Sequence, residues 1–369
     1  MGKIKTGIIG CGGIANQKHL PALAQFKDRC EIVAFCDIKI ERAEEAAKKY
    51  GTPDAKVYAD YRELLKDPEI VDVHVCTPNV SHCAITVAAF EAGKHVICEK
   101  PMAASTEDAE KMMAAWKKSG KLFTIGYQNR YRTDSQTLKK ICEEGGLGEI
   151  YYARAHAIRR RGVPTWGVFP EKSQQGGGPL IDIGTHALDL TLWMMDNYQP
   201  KSVMGASFEK LGRSLEPGNQ GNMMGTWDNT TYEVEDSAFG FVTMENGAVI
   251  SVEASWALNT LDVGEAQTYL SGTKAGADMV ADPGMRNGLR INTVIADKMA
   301  VTKPDVGVPA GVDFFPGAGL PPHVMEAKIW LDAIEGKGEL CVKPEQAFTV
   351  TRILDAIYKS SATGELVKF

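Results

Sequence analysis

Three stretches of this chain combine residue types and spacings that can do chemistry. The first is Gly10-Cys11-Gly12-Gly13-Ile14-Ala15, a G-x-G-x-x-A run that follows an apolar β-type segment and opens a helical one. In such a turn the first glycine permits the tight bend and the second lets the backbone approach a pyrophosphate. The small third position lets helix and strand pack closely. The helix N-terminus then offers the phosphates unpaired N–H groups and the positive end of its dipole. Asp37 closes the next β-type run, 22 residues after Ala15. A carboxylate there would accept hydrogen bonds from ribose hydroxyls and repel a 2′-phosphate. Ile38, not an arginine, follows it, so the sequence favours NAD as cofactor. Arg42, one helical turn on, keeps NADP possible. Gly10, Gly12, Gly13, Ile14, Ala15, Asp37 and Arg42 are the first candidate cofactor-binding residues.

The second stretch is Glu99-Lys100-Pro101, at the C-terminal end of the β-type run 95–98. Ligands of open α/β sheets bind outside such strand ends, which puts Lys100 where chemistry would take place. The third is the segment 176–189, which begins with three glycines and carries Asp182, His186 and Asp189. At 100° per residue, Asp182, His186, Asp189 and Trp193 fall within about 60° of arc on one face of a helix. The rest of that helix is apolar, so it is expected to be buried, and its polar stripe needs partners or a polar cavity. A satisfied core histidine beside a structural aspartate is the ordinary reading. A site that handles protons and a shared metal ion are the alternatives. No cysteine or second histidine lies near in sequence, so no metal is expected.

The elements around these residues read in two styles. Up to residue 125, β-type runs at 5–9, 31–37, 57–58, 71–76, 95–98 and 122–125 alternate with helices at 14–26, 40–50, 60–65, 81–92 and 106–119. Strands alternating with helices imply a parallel sheet covered on both faces, and right-handed crossovers make it doubly wound, the Rossmann arrangement. Beyond residue 126 the pattern becomes one long strand (150–159), an apolar helix (183–195) and β-type runs at 202–208, 238–244, 248–256 and 266–271. Glu245-Asn246-Gly247 is a hairpin signal between two of these. Helices follow at 324–334 and 345–360, and 212–230 has no period. The fold class expected is thus α/β plus α+β. Residues 1–125 form a Rossmann domain with a doubly wound parallel sheet. Residues 126–369 form a substrate-binding and oligomerisation domain, whose largely antiparallel open sheet carries helices on one face.

Composition narrows the function classes. With 369 residues, 44% hydrophobic and 24% charged, the chain is of ordinary globular make-up and long enough for two domains. Its net charge of −6 gives no cationic surplus for nucleic acid. No apolar stretch is long enough to span a membrane. The eight cysteines show no C-x-x-C spacing, so reduced thiols in a cytoplasmic protein are expected.

Taken together, the motifs resemble the glucose–fructose oxidoreductase/inositol dehydrogenase (Gfo/Idh/MocA) family. The likeness rests on Gly10-x-Gly12-Gly13-x-Ala15, Asp37, Thr77-Pro78-Asn79 with His82, and the run from Ala92 to Pro101 that ends in Cys98-Glu99-Lys100. It continues in Gly126-Tyr127-Gln128-x-Arg130 and in Gly178-x-x-x-Asp182-x-Gly184-x-His186-x-x-Asp189. It runs on through Gly272-Thr273-Lys274 to Arg352-x-Leu354-Asp355-Ala356-Ile357-Tyr358, so it covers essentially the whole chain.

The resemblance implies an NAD(P)-dependent oxidoreductase that moves hydride between nicotinamide and a secondary hydroxyl or ketone of a sugar, glycoside or cyclitol. Lys100, Asp182 and His186 become the catalytic group. Thr77, Pro78, Asn79, His82, Glu99, Lys100 and Gln128 join the cofactor-binding positions. Tyr131, Arg154, His156, Arg160 and Trp166 lie in segments that could wall the substrate beside Lys100, Asp182 and His186. An imidazole, with a reference pKa near 6.5, suits the proton transfer. The same resemblance leaves two alternatives: an NAD-dependent glycosidase working by transient oxidation and elimination, and a sugar-sensing regulator without turnover. The partners expected are a small-molecule sugar, glycoside or cyclitol and a second copy of the chain, as homodimer or homotetramer, because an open sheet with helices on one face leaves the other face to cover. No nucleic acid and no membrane are expected.

Overall fold

The computed structural model describes residues 2–213, 229–280, 288–306 and 320–369. Most of the aperiodic stretch 212–230 lies outside those residues. The chain divides into two compact units, the first Met1–Gln128 with Leu320–Phe348, the second Asn129–Gly319 with Thr349–Phe369.

The first unit is built on six parallel strands: β1 (Ile4–Ile9), β2 (Cys30–Cys36), β3 (Lys56–Tyr58), β4 (Asp72–Val75), β5 (His95–Cys98) and β6 (Phe123–Ile125), in the order β3-β2-β1-β4-β5-β6. This is the doubly wound order, whose direction reverses between β1 and β4 and leaves a crevice at the C-terminal strand ends. The crossovers are α1 (Leu20–Leu23), α2 (Ile40–Tyr50), α3 (Tyr61–Leu65), α4 (His82–Glu91) and α5 (Thr106–Ser119). α2 and α5 span the residues that periodicity predicts. The helix expected over 14–26 is instead a composite. A π-helical turn, Ala15–His19, leads into α1 and then into a 3₁₀ turn, Ala24–Phe26. Pro21 supplies the reason: it has no N–H for the carbonyl of Gln17, and the turn before it widens so that Leu20 N–H reaches Ala15 O.

Leu320–Phe348 returns to this unit, although the sequence reading put all of 126–369 together. Its helix, numbered α9 in chain order (Pro322–Ile334), packs Val324, Ala327 and Leu331 into the core formed by Ile8, Leu20, Leu23 and Phe35. It is pinned at Arg29 Nη2 by Asp332 Oδ1 (2.7 Å) and Glu335 Oε2 (3.0 Å). Trp330 Nε1 also donates to Asp72 Oδ2 at 2.9 Å. Separation in sequence hides this: the partners of Arg29 lie some 300 residues on.

The second unit opens with α6 (Thr133–Glu143), β7 (Ile150–Ile158), α7 (Lys172–Gln175) and α8 (Thr185–Met195). Then come β8 (Pro200–Phe208), β9 (Ser237–Met244), β10 (Val249–Ser255), β11 (Gly264–Gly272), β12 (Gly276–Asp278), β13 (Arg290–Ile295) and β14 (Lys298–Thr302). After α9, α10 (Pro344–Thr363) and β15 (Val367–Lys368) close the chain. The sheet order is β14-β13-β12-β11-β7-β10-β9-β8-β15. All its pairings are antiparallel except β10 with β7. The hairpin at Glu245-Asn246-Gly247 forms as expected, with Gly247 at φ +87° and its N–H on Met244 O at 3.0 Å.

Strand alternation fixes the two faces of this sheet. Ala153, Ala155 and Ala157 of β7 are fully buried, as are Val252 and Ala254 of β10. Gly184 lies against the Ala254 side, where a Cβ would come 2.9 Å from that methyl. Small side chains let the α8 segment sit close to the sheet. Thr191 on α8 donates to Thr268 of β11 on the same face, at 2.8 Å.

Candidate active site

In the first unit the glycine-rich loop joins β1 to the π-helical turn. Gly10 adopts φ +91°, and a Cβ there would meet Cys76 O at 2.5 Å. Any other residue is thus excluded by both conformation and space. Added Cβ atoms at Gly12 and Gly13 would meet nothing within 4 Å, which leaves the open backbone that a pyrophosphate needs. Ile14 is exposed and Ala15 fully buried, as close helix–strand packing requires. Asp37 lies just beyond β2 and is held by two backbone donors, Cys11 N–H at 2.8 Å and Lys39 N–H at 2.9 Å. Each bond occupies one carboxylate oxygen and leaves a further lone pair for a ribose hydroxyl. Arg42 is exposed on α2. The donor set fits a dinucleotide.

Thr77 and Pro78 follow β4, and Asn79 opens a 3₁₀ turn. All three are half-buried. Ser81 Oγ donates to Thr77 Oγ1 at 2.8 Å. His82 is fully buried, its ring nitrogens 2.9 Å from Thr77 O and 2.9 Å from Pro101 O. It ties the Thr77 loop to the Lys100 loop, and burial pushes its pKa down. His82 thus sits between two backbone segments that surround the cofactor position, and its neutral ring donates its one N–H to one of the two carbonyls. Lys100 itself is half-buried, and the Lys100–Pro101 peptide is cis. Gln128, half-buried, begins a 3₁₀ turn after β6.

Glu99 is buried, with Oε1 receiving Lys18 Nζ at 2.6 Å and His19 Nε2 at 2.8 Å. Its Oε2 accepts the Lys100 N–H at 3.1 Å. Burial pushes this carboxyl up, but the Lys18 ammonium and the hydrogen bonds from His19 and Lys18 hold it well below the usual carboxylate range. Lys18 and His19 were not singled out from sequence. The one signal available was the consecutive Lys18-His19 pair in the helix that opens on the glycine-rich turn.

In the second unit a π-helical turn, Leu180–Gly184, runs straight into α8. Leu180, Ile181, Ile183 and Gly184 are buried and so is α8 from Thr185 to Met194, apart from His186. Asp182 and His186, four residues apart, are the two positions in this run that keep partial exposure. Asp182 Oδ2 accepts the indole N–H of Trp256, itself fully buried, at 3.1 Å. The lower half of the polar stripe is structural. Asp189 is buried against Arg130, with bonds of 2.9 Å to Nε and 2.6 Å to Nη2, and the guanidinium lies over the Trp193 ring. Breaking such a pair typically costs about 3–5 kcal/mol.

Two of the three glycines before this helix are explained by what lies against them, and Gly176 by its φ of +81°. A Cβ on Gly177 would strike Tyr358 Oη and one on Gly178 the carbonyl of Glu235, each at 2.2 Å. Glu235 accepts the N–H groups of Gly178 (2.9 Å) and Leu180 (3.2 Å) and the hydroxyl of Tyr358 (2.7 Å). A half-buried carboxylate therefore caps the segment that carries Asp182. Glu235 and Trp256 were missed by sequence reasoning, because each acts through a long-range contact.

The substrate-wall candidates scatter. Tyr131 is buried; Trp166 is 47% exposed and packs edge-on against Phe169; Arg160 is exposed. Arg154 and His156 lie on the sheet face opposite α8, because they alternate with Ala153, Ala155 and Ala157. There both meet Glu253 Oε2, at 2.8 and 2.9 Å, and Arg154 also pairs with Asp262. The geometry does not bring Arg154 and His156 to Asp182 and His186.

Comparison with known proteins adds to this geometry. Residues 4–127 match the family model described as "Oxidoreductase family, NAD-binding Rossmann fold" (GFO_IDH_MocA), and residues 135–278 match the GFO/IDH/MocA C-terminal domain. The chain is 34% identical over 366 residues to D-glucoside 3-dehydrogenase of Escherichia coli K12, covering 99% of this chain and 97% of that one. It is also 34% identical to scyllo-inositol 2-dehydrogenase (NADP(+)) of Bacillus subtilis, over 202 residues, 54% of this chain and 53% of that one. Among solved structures, levoglucosan dehydrogenase in complex with NADH and levoglucosan superimposes with a TM-score of 0.80 at 25% identity, covering 100% of this chain and 99% of that one.

Proposed function

The chain belongs to the GFO/IDH/MocA oxidoreductase family, and we propose that it is a cytoplasmic NAD-dependent dehydrogenase acting on a secondary hydroxyl of a sugar, glycoside or cyclitol. NAD, when bound, accepts or returns the hydride. Gly12 and Gly13 present backbone to its pyrophosphate, and Asp37 takes the adenosine ribose hydroxyls. Lys100 Nζ and the His186 imidazole handle the hydroxyl proton. In the reverse direction protonated Lys100 stabilises the forming alkoxide. Asp182, oriented by Trp256, binds a neighbouring hydroxyl.

The observation that carries this reading is the partial exposure of Asp182 and His186 in a segment, 180–194, that is otherwise buried. A structural aspartate and histidine would be enclosed like Asp189, which is 1% exposed. The full-length likeness to a glucoside dehydrogenase supports the substrate class. The test is a panel of sugars, alkyl and aryl glycosides and inositols, with NADH formation followed optically. The reading expects NADH with at least one polyol. Aglycone release without net NADH would replace it by a glycosidase, and binding of sugar and NAD without turnover by a sensor.

The second unit is further proposed to pair with a second copy through the sheet face opposite α8. Phe241 (53% exposed), Met204, Phe208 and Tyr152 stand on that face beside the Arg154–Glu253 pair. Light scattering should give a mass that is a multiple of 40.1 kDa; a monomer at working concentration would refute the pairing.

A further inference from the structure

The polar groups around Glu99 extend well beyond the site described above, and all belong to the first unit. Lys18 Nζ has three oxygen partners: Glu99 Oε1 at 2.6 Å, Glu326 Oε2 of α9 at 2.9 Å and Gly126 O at 3.4 Å. His19 Nδ1 meets His74 Nδ1 at 2.8 Å, and His74 Nε2 lies 3.4 Å from Asp72 Oδ2. Asp72 in turn is held by Thr6 Oγ1 at 2.8 Å and by Trp330 Nε1 at 2.9 Å. Lys18, His19, His74, Asp72, Glu99 and Glu326 are each at most 5% exposed.

Burying an ion cluster of this size is not a route to stability, since well-packed apolar side chains of like volume commonly do as well or better. What ions and imidazoles supply, and apolar groups do not, is a fixed direction for a carboxylate. Glu99 Oε1 is fixed from two sides by consecutive residues. The π-helical turn makes this possible, because a wider turn separates successive side chains by less than the 100° of an α-helix. With Oε1 held, Oε2 has one orientation, and it receives the backbone N–H of Lys100. The space around the cluster is closed: a Cβ at Gly126 would come 2.9 Å from both Glu99 Oε1 and Lys18 Nζ.

We propose that Lys18 and His19 are positioning residues for Lys100, acting through Glu99, with His74 and Glu326 bracing them from behind. The inference rests on the reading of Lys100 as the proton-handling group. The helix that opens on the pyrophosphate and the loop that carries the reacting amine then share one carboxylate. The loop that carries the reacting amine is thereby anchored on that helix through one buried contact.

The test compares Lys18→Met, His19→Leu and His19→Gln with the native enzyme in three measurements: NAD affinity by calorimetry, kcat, and hydrogen exchange of the peptide spanning residues 99–102. In that peptide Pro101 has no amide and the Lys100 N–H reports directly on Glu99. Lys18→Met and His19→Leu are expected to lower kcat by about tenfold to a hundredfold, leave NAD affinity unchanged and speed exchange at Lys100. His19→Gln, whose amide can still donate to Glu99, should restore both. Native kcat and exchange in folded Lys18→Met and His19→Leu would overturn the proposal. So would a loss of kcat explained wholly by lost NAD affinity. If those two variants do not fold, Glu99→Gln, which keeps the shape and an acceptor oxygen, is read in the same way. Should Lys100→Ala retain turnover, the reading of Lys100 fails, whereas exchange at Lys100 still reports on the contact itself.

Discussion

His19 and His74 face each other Nδ1 to Nδ1 at 2.8 Å with their rings perpendicular. Only one of the two nitrogens can carry the proton between them. Glu99 is held ionised, so His19 Nε2 must donate to it. Neutral His19 then has a bare Nδ1, and His74 Nδ1–H donates. The chain of donors thus runs from His74 through His19 to Glu99.

This arrangement predicts how stability depends on pH. Burial pushes the pKa of His19 down from 6.5 to about 4. Between those values the unfolded chain binds a proton there that the folded chain refuses. The contribution of neutral His19 is therefore full above 6.5 and lost as pH falls towards 4, amounting to about 3 kcal/mol across the window. Melting temperatures measured from neutral pH to about 4 should fall more steeply for the native protein than for His19→Gln. His82, also buried and pushed down, contributes equally to both. Parallel curves would show that His19 is not held neutral.

The carboxylate of Asp37 is predicted to decide between the two nicotinamide cofactors. Asp37→Ala removes its hydrogen bonds to ribose, each worth about 1.5–3 kcal/mol when the acceptor is charged. It also removes the repulsion against a 2′-phosphate. NAD affinity should fall by on the order of tenfold or more, while NADP affinity falls less or rises. Calorimetric titration with both cofactors checks this, and equal losses would contradict it.

Much of this molecule could be read in its sequence, for identifiable reasons. In the first unit most strands and helices up to residue 125 carry their own period and stop signal. Gly51 after α2 and Gly93 after α4 are two of those signals, so local reading is enough for them. Helical spacing put Asp182, His186 and Asp189 on one stripe, and the family resemblance singled out the first two for catalysis. The outcome for Asp189 on the same stripe depended on Arg130, 59 residues away, which spacing does not reveal. The π-helical turns at Ala15–His19 and Leu180–Gly184 were also hidden, because hydrophobic period does not distinguish a widened turn from an α-helical one over five residues. Arg154 and His156 were placed by segment alone. A one-residue step along a strand moves a side chain to the other face, and theirs is the face away from α8.

Lys100 handles the substrate proton, and whatever contact it makes with the cofactor, as the resemblance implies, adds little to NAD affinity. The decisive measurement is turnover of Lys100→Ala on the best polyol of the panel, with NAD affinity measured on the same preparation. The account predicts native NAD affinity and a kcat lower by at least about a hundredfold, the range expected for loss of a general acid–base group. Undiminished turnover in a variant that binds NAD normally would contradict it.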